Sequence, residues 1–405
     1  MSGTKKKKKK RRIIIFTVEI ILLLFVLAAL FVWSKYQKLN RGPDIIDTDD
    51  VMNTDLDEST QKVLKGYTNI AIFGLDNRTN GTFDAGNSDV IMIASINNDT
   101  KEVRLVSVYR DTYLNRSDDS TYNFGKATEA HGIGGTKRSV MMLNRNLDLN
   151  IEDYIVVDFK AVTEAIDLLG GVEVEIDAAE AKWMDFYIQE TSQVTEHPSE
   201  TITQPGTYNL NGVQATSYCR IRYTTGDDYK RSQRQREVLS KMIEKAKSAG
   251  LGTINKIIDA VFEEVSTSLT LPEIVSLASQ MFNYELADTT GFPFKLQYKE
   301  IGKKGGVVVP CDLVTNVTEL HKYLFNDYNY TPSNTLQNFS QQIIAETGLG
   351  AQDGAGANVE ADTFGTKSKP KDTSVQDTQA DTDTSAGFVT QAGTAIDDLH
   401  TGGTQ

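Results

Sequence analysis

The run Asn69-Ile70-Ala71-Ile72-Phe73-Gly74, leading into Leu75-Asp76-Asn77-Arg78, decides the fold class. A short apolar segment rich in β-branched and aromatic residues, closed by glycine and a charged turn, reads as a buried strand with a polar exit. Residues 89–96 and 103–108 are two more such segments, joined by Asn97-Asn98-Asp99, a turn sequence. Beyond them the hydrophobic period alternates. Gly134-Gly135-Thr136 predicts a turn and N-cap before a helix over 137–147, and 154–159 reads as a strand. Residues 160–169 read as a helix stopped by Gly170-Gly171, 172–176 and 215–223 as strands, and 231–249 as a long amphipathic helix ended by Gly250. Residues 254–283 read as helical with a break near Pro272. Such alternation indicates an α/β fold, a layered αβα arrangement around a central mixed β-sheet.

The N-terminus places this domain. Lys5 to Lys10 with Arg11 and Arg12 run into an apolar stretch over 13–33. At about 1.5 Å per residue that stretch reaches about 31 Å, enough to cross a bilayer core. Ala28-Ala29 is followed by Leu30, Phe31, Val32 and Trp33 rather than a small-residue exit, so a retained transmembrane helix is expected, not a cleaved leader. Basic flanks stay on the cytoplasmic side. The expected organisation is a cytoplasmic basic tail over 1–12, an anchor over 13–33, a polar stalk over 34–65, an extracellular domain over 66–332 and a disordered acidic tail over 350–405.

The formal net charge is −13 although the first twelve residues carry eight basic ones, so the remainder is strongly acidic. That balance argues against nucleic acid as a partner. Any anion must be gripped by a local arginine cluster. Two cysteines, Cys219 and Cys311, exclude a disulfide-built scaffold, and the four histidines show no zinc-ligand spacing.

Four clusters lie where strands meet loops, the place where open α/β sheets gather function. Asp76 with Arg78 follows the first strand, and Asn87-Ser88-Asp89 opens the next. Asp76 and Asp89 either hold a hard divalent cation or simply cap turns. Tyr109-Arg110-Asp111-Thr112 ends the third strand, where Arg110 is either a phosphate ligand or half of a surface ion pair. Arg220-Ile221-Arg222, read as a strand, would put two guanidinium groups on one face. Arg231, Arg234, Gln235 and Arg236 open the following helix, where cations oppose the helix dipole unless an anion joins them. Carboxylates for a metal and arginines for a pyrophosphate-sized anion together suit phosphoryl transfer.

These blocks, taken in order, resemble the LytR-CpsA-Psr family of Gram-positive cell-wall proteins. The resemblance rests on Thr68-Asn69-Ile70 to Arg78, Ser88-Asp89-Val90-Ile91-Met92, Ser107 to Thr112, Asn123-Phe124-Gly125-Lys126-Ala127 with Gly134-Gly135, Gly170-Gly171-Val172, Leu210 to Ala215, and Arg220-Ile221-Arg222 with Arg231 to Gln235. It covers about residues 66–250 and extends toward 330. It implies a membrane-anchored phosphotransferase that moves a glycopolymer from a polyprenyl pyrophosphate carrier onto the muramic acid 6-hydroxyl of peptidoglycan. It further implies Mg²⁺ held by Asp76 and Asp89, and Arg110 at the reacting phosphate. Asp111 would orient Arg110 or act as base, and Arg78, Lys126, Arg220, Arg222, Arg231 and Gln235 would bind the pyrophosphate. The lipid would lie in an apolar tunnel between sheet and helices, with Met141, Met142 and Leu143 as lining or as core. Two positions depart from the family pattern: Asn87 stands where an arginine is usual and Tyr109 where a proline is usual. A pyrophosphate hydrolase at the same site and a non-enzymatic glycopolymer-binding or regulatory module are the other readings.

Overall fold

The computed structural model describes residues 29–39, 48–75, 86–118, 121–222 and 227–356, together with positions 26 and 83. The basic tail, most of the expected anchor, Asp76, Arg78 and the tail beyond 356 lie outside the described residues. Among the described residues no helix is long and apolar enough to cross a membrane.

In chain order, α1 (Thr48–Val51) and α2 (Glu58–Leu64) precede β1 (Tyr67–Leu75), β2 (Ser88–Asn97), β3 (Glu102–Val108), β4 (Tyr113–Asn115) and β5 (Phe124–Lys126). Then come α3 (Glu129–Leu147), β6 (Asp153–Asp158), α4 (Phe159–Leu168), β7 (Val172–Ile176), α5 (Ala178–Thr195), β8 (Gly206–Leu210), α6 (Gly212–Arg220) and α7 (Asp227–Ser248). The chain continues through α8 (Leu251–Val261), β9 (Val265–Thr267), α9 (Leu271–Ser279), β10 (Glu285–Phe292), β11 (Lys295–Glu300), β12 (Gly306–Pro310), α10 (Leu313–Phe325) and α11 (Asn334–Thr347).

The central sheet has the order β10-β3-β2-β1-β6-β9. It is mixed: β1 pairs antiparallel with β2 and parallel with β6, while β3 pairs antiparallel with β2 and parallel with β10. The C-terminal ends of β1, β3 and β6 and the start of β2 therefore lie at one end of the sheet. The α/β class with a central mixed sheet is as the sequence led us to expect.

Side-chain alternation divides the strands between two faces. Ala71, Phe73, Ile91, Ile93, Tyr154 and Val156 point into one core, which also takes Met142 and Leu143 of α3, Leu320 of α10 and Phe339 of α11. Ile72, Val90, Met92, Ile155 and Val157 point the other way, toward α4, α6, α7 and α8. A second core, under α4, α5 and α6, gathers Ile166, Met184, Ile188, Leu210 and Val213.

Several expectations are corrected. Residues 215–223 are not a strand: α6 runs to Arg220, started by a reciprocal capping box between Asn211 and Gln214. Nearly all of its residues are buried, so no helical polar stripe marks it in the sequence. The segment 254–283 contains β9 between its helices, an added edge strand beside β6. The helix over 137–147 begins earlier, at Glu129, but Gly134 and Gly135 (φ 66°) break its backbone where the turn was expected. Residues 48–64, read as part of a stalk, belong to the folded unit, because Val51, Leu56 and Leu64 are buried in the first core. So does α11, beyond the expected limit at 332, through Leu336, Phe339 and Ile343. Asp148 ties these late-recognised parts together: its carboxylate accepts from Asn53 Nδ2 (2.8 Å), Ser333 N (2.8 Å) and Ser333 Oγ (2.7 Å).

Candidate active site

The end of the sheet that collects the exits of β1, β3 and β6 also collects the predicted arginines. Asp89, the second residue of β2, is the hub. Arg110 Nη1 lies 2.5 Å from Asp89 Oδ1, and Arg231 Nη2 and Arg222 Nη2 lie 2.9 and 3.2 Å from Oδ2. Burial opposes ionisation of this carboxyl, but the guanidiniums of Arg231, Arg110 and Arg222 outweigh it and hold the group below the usual carboxylate range. Three cations around one anion leave an excess of positive charge, an arrangement that suits a further anion.

Arg110 reaches this point because it lies two residues past the end of β3, where the backbone turns away from the sheet. Its carbonyl accepts from Thr128 N at 2.9 Å, which fixes the exit of the strand. Asp111 stands beside it, 3.6 Å from Arg110 Nε and 3.2 Å from Lys126 Nζ at the end of β5. Asp111 thus links Lys126 to Arg110.

Arg220 and Arg222 do not share a strand face. Arg220 closes α6 and is buried; its Nη1 donates to Thr191 Oγ1 (2.9 Å), its Nη2 lies 3.3 Å from Glu190 Oε2, and its guanidinium sits 4.8 Å from the Phe159 ring centroid. Arg222 lies past the helix end and turns to Asp89. Arg234, grouped with them in the sequence, is a clamp rather than a member of the site. It pairs with buried Glu180 at 2.8 Å and donates to the Ile221 carbonyl at 3.0 Å, holding the segment that presents Arg222.

Behind the arginines opens a cavity of about 330 Å³. The sheet face of Ile72, Val90, Met92, Ile155 and Val157 forms one wall, and Ala165, Val238, Leu239, Met242 and Val261 form the other. Arg220, Arg231 and Gln235 line the same cavity, so an apolar chamber ends in cationic and amide groups. Met142 and Leu143 do not line it; they are fully buried in the core on the opposite face. Among the chamber's further polar wall residues, sequence reasoning missed Asp158. Its Oδ1 caps α4 by accepting from Ala161 N at 2.8 Å, and burial pushes its carboxyl up to about 6. An aspartate just before a helix signals a cap, and nothing in its spacing signals the chamber. Cys219 also lines the chamber and is a free thiol, as is Cys311.

Of the predicted site residues, Arg110, Arg222 and Arg231 meet on Asp89; Asp111 adjoins Arg110 and holds Lys126; Arg220 and Gln235 share the chamber with Arg231. Asp76 and Arg78 lie outside the described residues.

The residues described fit a divalent cation only in part. Asp89 offers hard oxygen donors and is held ionised. Both its oxygens, however, are already paired with guanidiniums, and among the described residues no group of three or more His, Cys, Asp or Glu side chains is placed to hold a metal.

Fold and site together define a class: an α/β protein with an apolar chamber closed by an anion grip. Residues 34–298 match the LytR_cpsA_psr family, and the chain belongs to that family. Biofilm regulatory protein A of Streptococcus mutans is 30% identical over 209 residues, which are 48% of this chain and 49% of that protein, so the match spans about half of the relative's length. The polyisoprenyl-teichoic acid–peptidoglycan teichoic acid transferase TagT of Bacillus subtilis is 28% identical over 237 residues, 57% of this chain and 70% of that one. A solved structure, TagT bound to LI-WTA, superposes with a TM-score of 0.50 at 25% identity, covering 65% of this chain and 91% of that chain.

Proposed function

We propose that this protein is a membrane-anchored phosphotransferase that moves an anionic glycopolymer from a polyprenyl pyrophosphate carrier onto peptidoglycan, at the muramic acid 6-hydroxyl. The observation that carries the reading is the apolar chamber ending at Arg220, Arg231 and Gln235, with Arg110 and Arg222 beside them on Asp89. A prenyl chain needs an apolar slot and a pyrophosphate needs guanidiniums, and here one opens into the other. The similarity to a protein named for transfer of teichoic acid from a polyisoprenyl carrier to peptidoglycan supports the same direction.

In this reading the acceptor hydroxyl attacks the phosphorus that carries the polymer. The new bond is a P–O phosphodiester, the bond broken joins that phosphorus to the bridging oxygen, and the leaving group is polyprenyl monophosphate. Arg110 stabilises charge on the equatorial oxygens of the reacting phosphoryl group. Arg220, Arg222, Arg231, Gln235, Lys126 and Arg78 hold the pyrophosphate. Asp111 orients Arg110 or takes the acceptor proton. Mg²⁺, held by Asp76 and Asp89, would neutralise pyrophosphate charge.

For location we propose a single-pass cell-membrane protein, with the N-terminus in the cytoplasm and the catalytic domain outside. Support comes from the basic run at 5–12 ahead of the apolar stretch, and from Leu30, Phe31 and Trp33, all half exposed to solvent. Just beyond them Lys35 and Lys38 pair with Asp259 of α8, at 2.5 and 3.0 Å, which fastens the end of this segment beside the chamber's Val261.

The test uses the full chain in detergent with Mg²⁺ and a polyprenyl pyrophosphate-linked saccharide, following polyprenyl monophosphate with and without a peptidoglycan acceptor. Release that requires the acceptor and yields a linked product is expected. Release into water alone would replace the transferase by a hydrolase, and tight lipid binding without release would replace both by a binding module.

A further inference from the structure

A second cavity, of about 420 Å³, lies on the other side of α7. Helical spacing explains how one helix serves two chambers. Arg231, Gln235, Val238, Leu239 and Met242 face the apolar one, while Tyr229, Gln233, Arg236 and Ser240 face the second. The far wall is β10, through Asp288 to Gly291.

The cavity's inner groups are Arg236 and Tyr109. Arg236 is 6% exposed, and its Nη1 is buried without a hydrogen-bond partner among the described residues. Tyr109 is 2% exposed, and its hydroxyl is likewise buried without a partner. That hydroxyl rests over Gly291, where a Cβ would fall 2.0 Å from it, so the glycine makes the room it occupies. Neither nearby carboxylate hydrogen-bonds to Arg236: Glu237 accepts from the Tyr218 hydroxyl at 3.2 Å, and Asp288, at the exposed rim, accepts from Thr289 N at 2.9 Å and acts on Arg236 through its charge alone. A guanidinium is a donor with no capacity to accept, and a buried one left unpaired is costly. Retaining it beside a polar cavity calls for an acceptor that arrives from outside. The two orphaned donors come from residues adjacent in sequence to site residues: Tyr109 precedes Arg110 and Arg236 follows Gln235.

We propose that this cavity is an oxyanion subsite, in which Arg236 and Tyr109 together bind a carboxylate or phosphate group of a hydroxylated ligand, with Gln233, Ser240, Thr289 and Thr290 meeting its hydroxyls. The subsite stands on its own geometry. Only the owner of the oxyanion rests on the proposed function: a carboxylate of the acceptor glycan or a phosphate of the polymer beyond the carrier. Tyr109, one of this chain's two departures from the family pattern, then acts as a specificity residue.

The test measures binding by calorimetry on the full chain in detergent, with no turnover involved. N-Acetylmuramic acid probes the carboxylate source and glycerol 3-phosphate the phosphate source. Arg236→Gln is expected to weaken one probe at least tenfold, Tyr109→Phe to weaken the same probe several-fold, and Lys322→Gln, at an exposed lysine that lines neither cavity, to leave that probe unchanged. Loss confined to N-acetylmuramic acid assigns the acceptor, and loss confined to glycerol 3-phosphate assigns the polymer. Tyr109→Phe removes one oxygen and serves if Arg236→Gln does not fold. Unchanged affinity for both probes in the folded variants, or no measurable binding to the wild type, overturns the subsite. Failure of the transfer assay with probe binding intact would overturn the proposed reaction and leave the subsite standing.

Discussion

The two faces of the central sheet are equally apolar and end differently. On one face Phe73, Ile91, Ile93 and Val156 meet Met142, Leu143, Leu320 and Phe339, all at most 3% exposed, in a filled core. On the other, Ile72, Met92, Ile155 and Val157 meet helices that stand off and leave about 330 Å³ open. Protein interiors pack close, and an apolar void forfeits contacts that a filled core keeps. A chain that fills one face and not the other has forgone stability on the second. In the proposed function the filled face carries the fold and the open face carries the ligand, so substitutions on the two should separate stability from binding.

The largest separation is expected at the chamber's mouth. Arg110→Ala should lower release of polyprenyl monophosphate by about a thousandfold or more, in line with removal of a preorganised charge stabiliser. Its melting temperature should stay close to wild type, since Asp89 keeps Arg222 and Arg231. Turnover unchanged in a folded variant would remove Arg110 from the mechanism. On the filled face the opposite is expected. Leu143→Ala should cost about 2–5 kcal/mol in urea unfolding, the range for large-to-small core changes, while lipid affinity stays the same in the protein that remains folded. A loss of lipid binding by that variant would mean that the two faces are coupled.

How legible this division was depends on what each part signals locally. The strands alternate between two apolar faces, so they read as buried runs, and the α/β class follows from such runs interleaved with helical periods. The site's membership was legible because Asp89, Arg110, Arg222 and Arg231 are charged residues at element ends, where solvation alone does not call for them. The placement of Arg220 was not. A helix buried on nearly all sides shows no polar stripe, so 215–223 resembled a strand, and the cap that betrays it is only Asn211 with Gln214. The chamber was illegible in detail, because a valine facing a void and a valine facing a neighbour are the same letter. That is why Met142 and Leu143 entered as possible lining, whereas Leu239 and Met242 did not. The parts of the fold outside 66–332 were missed for a related reason: a few residues, Val51, Leu56 and Phe339 among them, dock polar segments onto the core.

The filled face also carries a pH dependence of its own. His321 is buried, with Nε2 3.0 Å from the Leu147 carbonyl and its ring stacked 3.8 Å from that of Tyr330. Burial pushes its imidazole down to about 4 from 6.5. The folded state therefore keeps it neutral where the unfolded chain would protonate it. Its contribution is fully present above pH 6.5 and is lost as pH falls through 4, by about 3 kcal/mol in all if the whole shift is realised. His321→Gln should flatten the difference in unfolding free energy between pH 7 and pH 4 relative to wild type. Parallel curves for the two proteins would assign the acid sensitivity to other groups.

The finest test fills the void itself. Ala165, on α4, lines the chamber and is buried. Ala165→Phe adds a ring where the sheet and helices leave room, so the expected cost in stability is within about 1 kcal/mol of zero, unlike the same enlargement in a packed core, which costs about 1–3. The ring would take space that the prenyl chain needs. Each buried methylene denied to the ligand is worth about 0.8 kcal/mol, so two of them lower affinity for a polyprenyl pyrophosphate about tenfold. Water-soluble pyrophosphate, which needs only the arginines, should bind both proteins alike. If the variant melts far below wild type, the space is smaller in solution than 330 Å³ implies and the contrast between the faces weakens. If it folds and binds prenyl and soluble pyrophosphates as before, the chain of the lipid lies elsewhere. Only a loss confined to the prenylated ligand ties the open face to the tail and the arginines to the head.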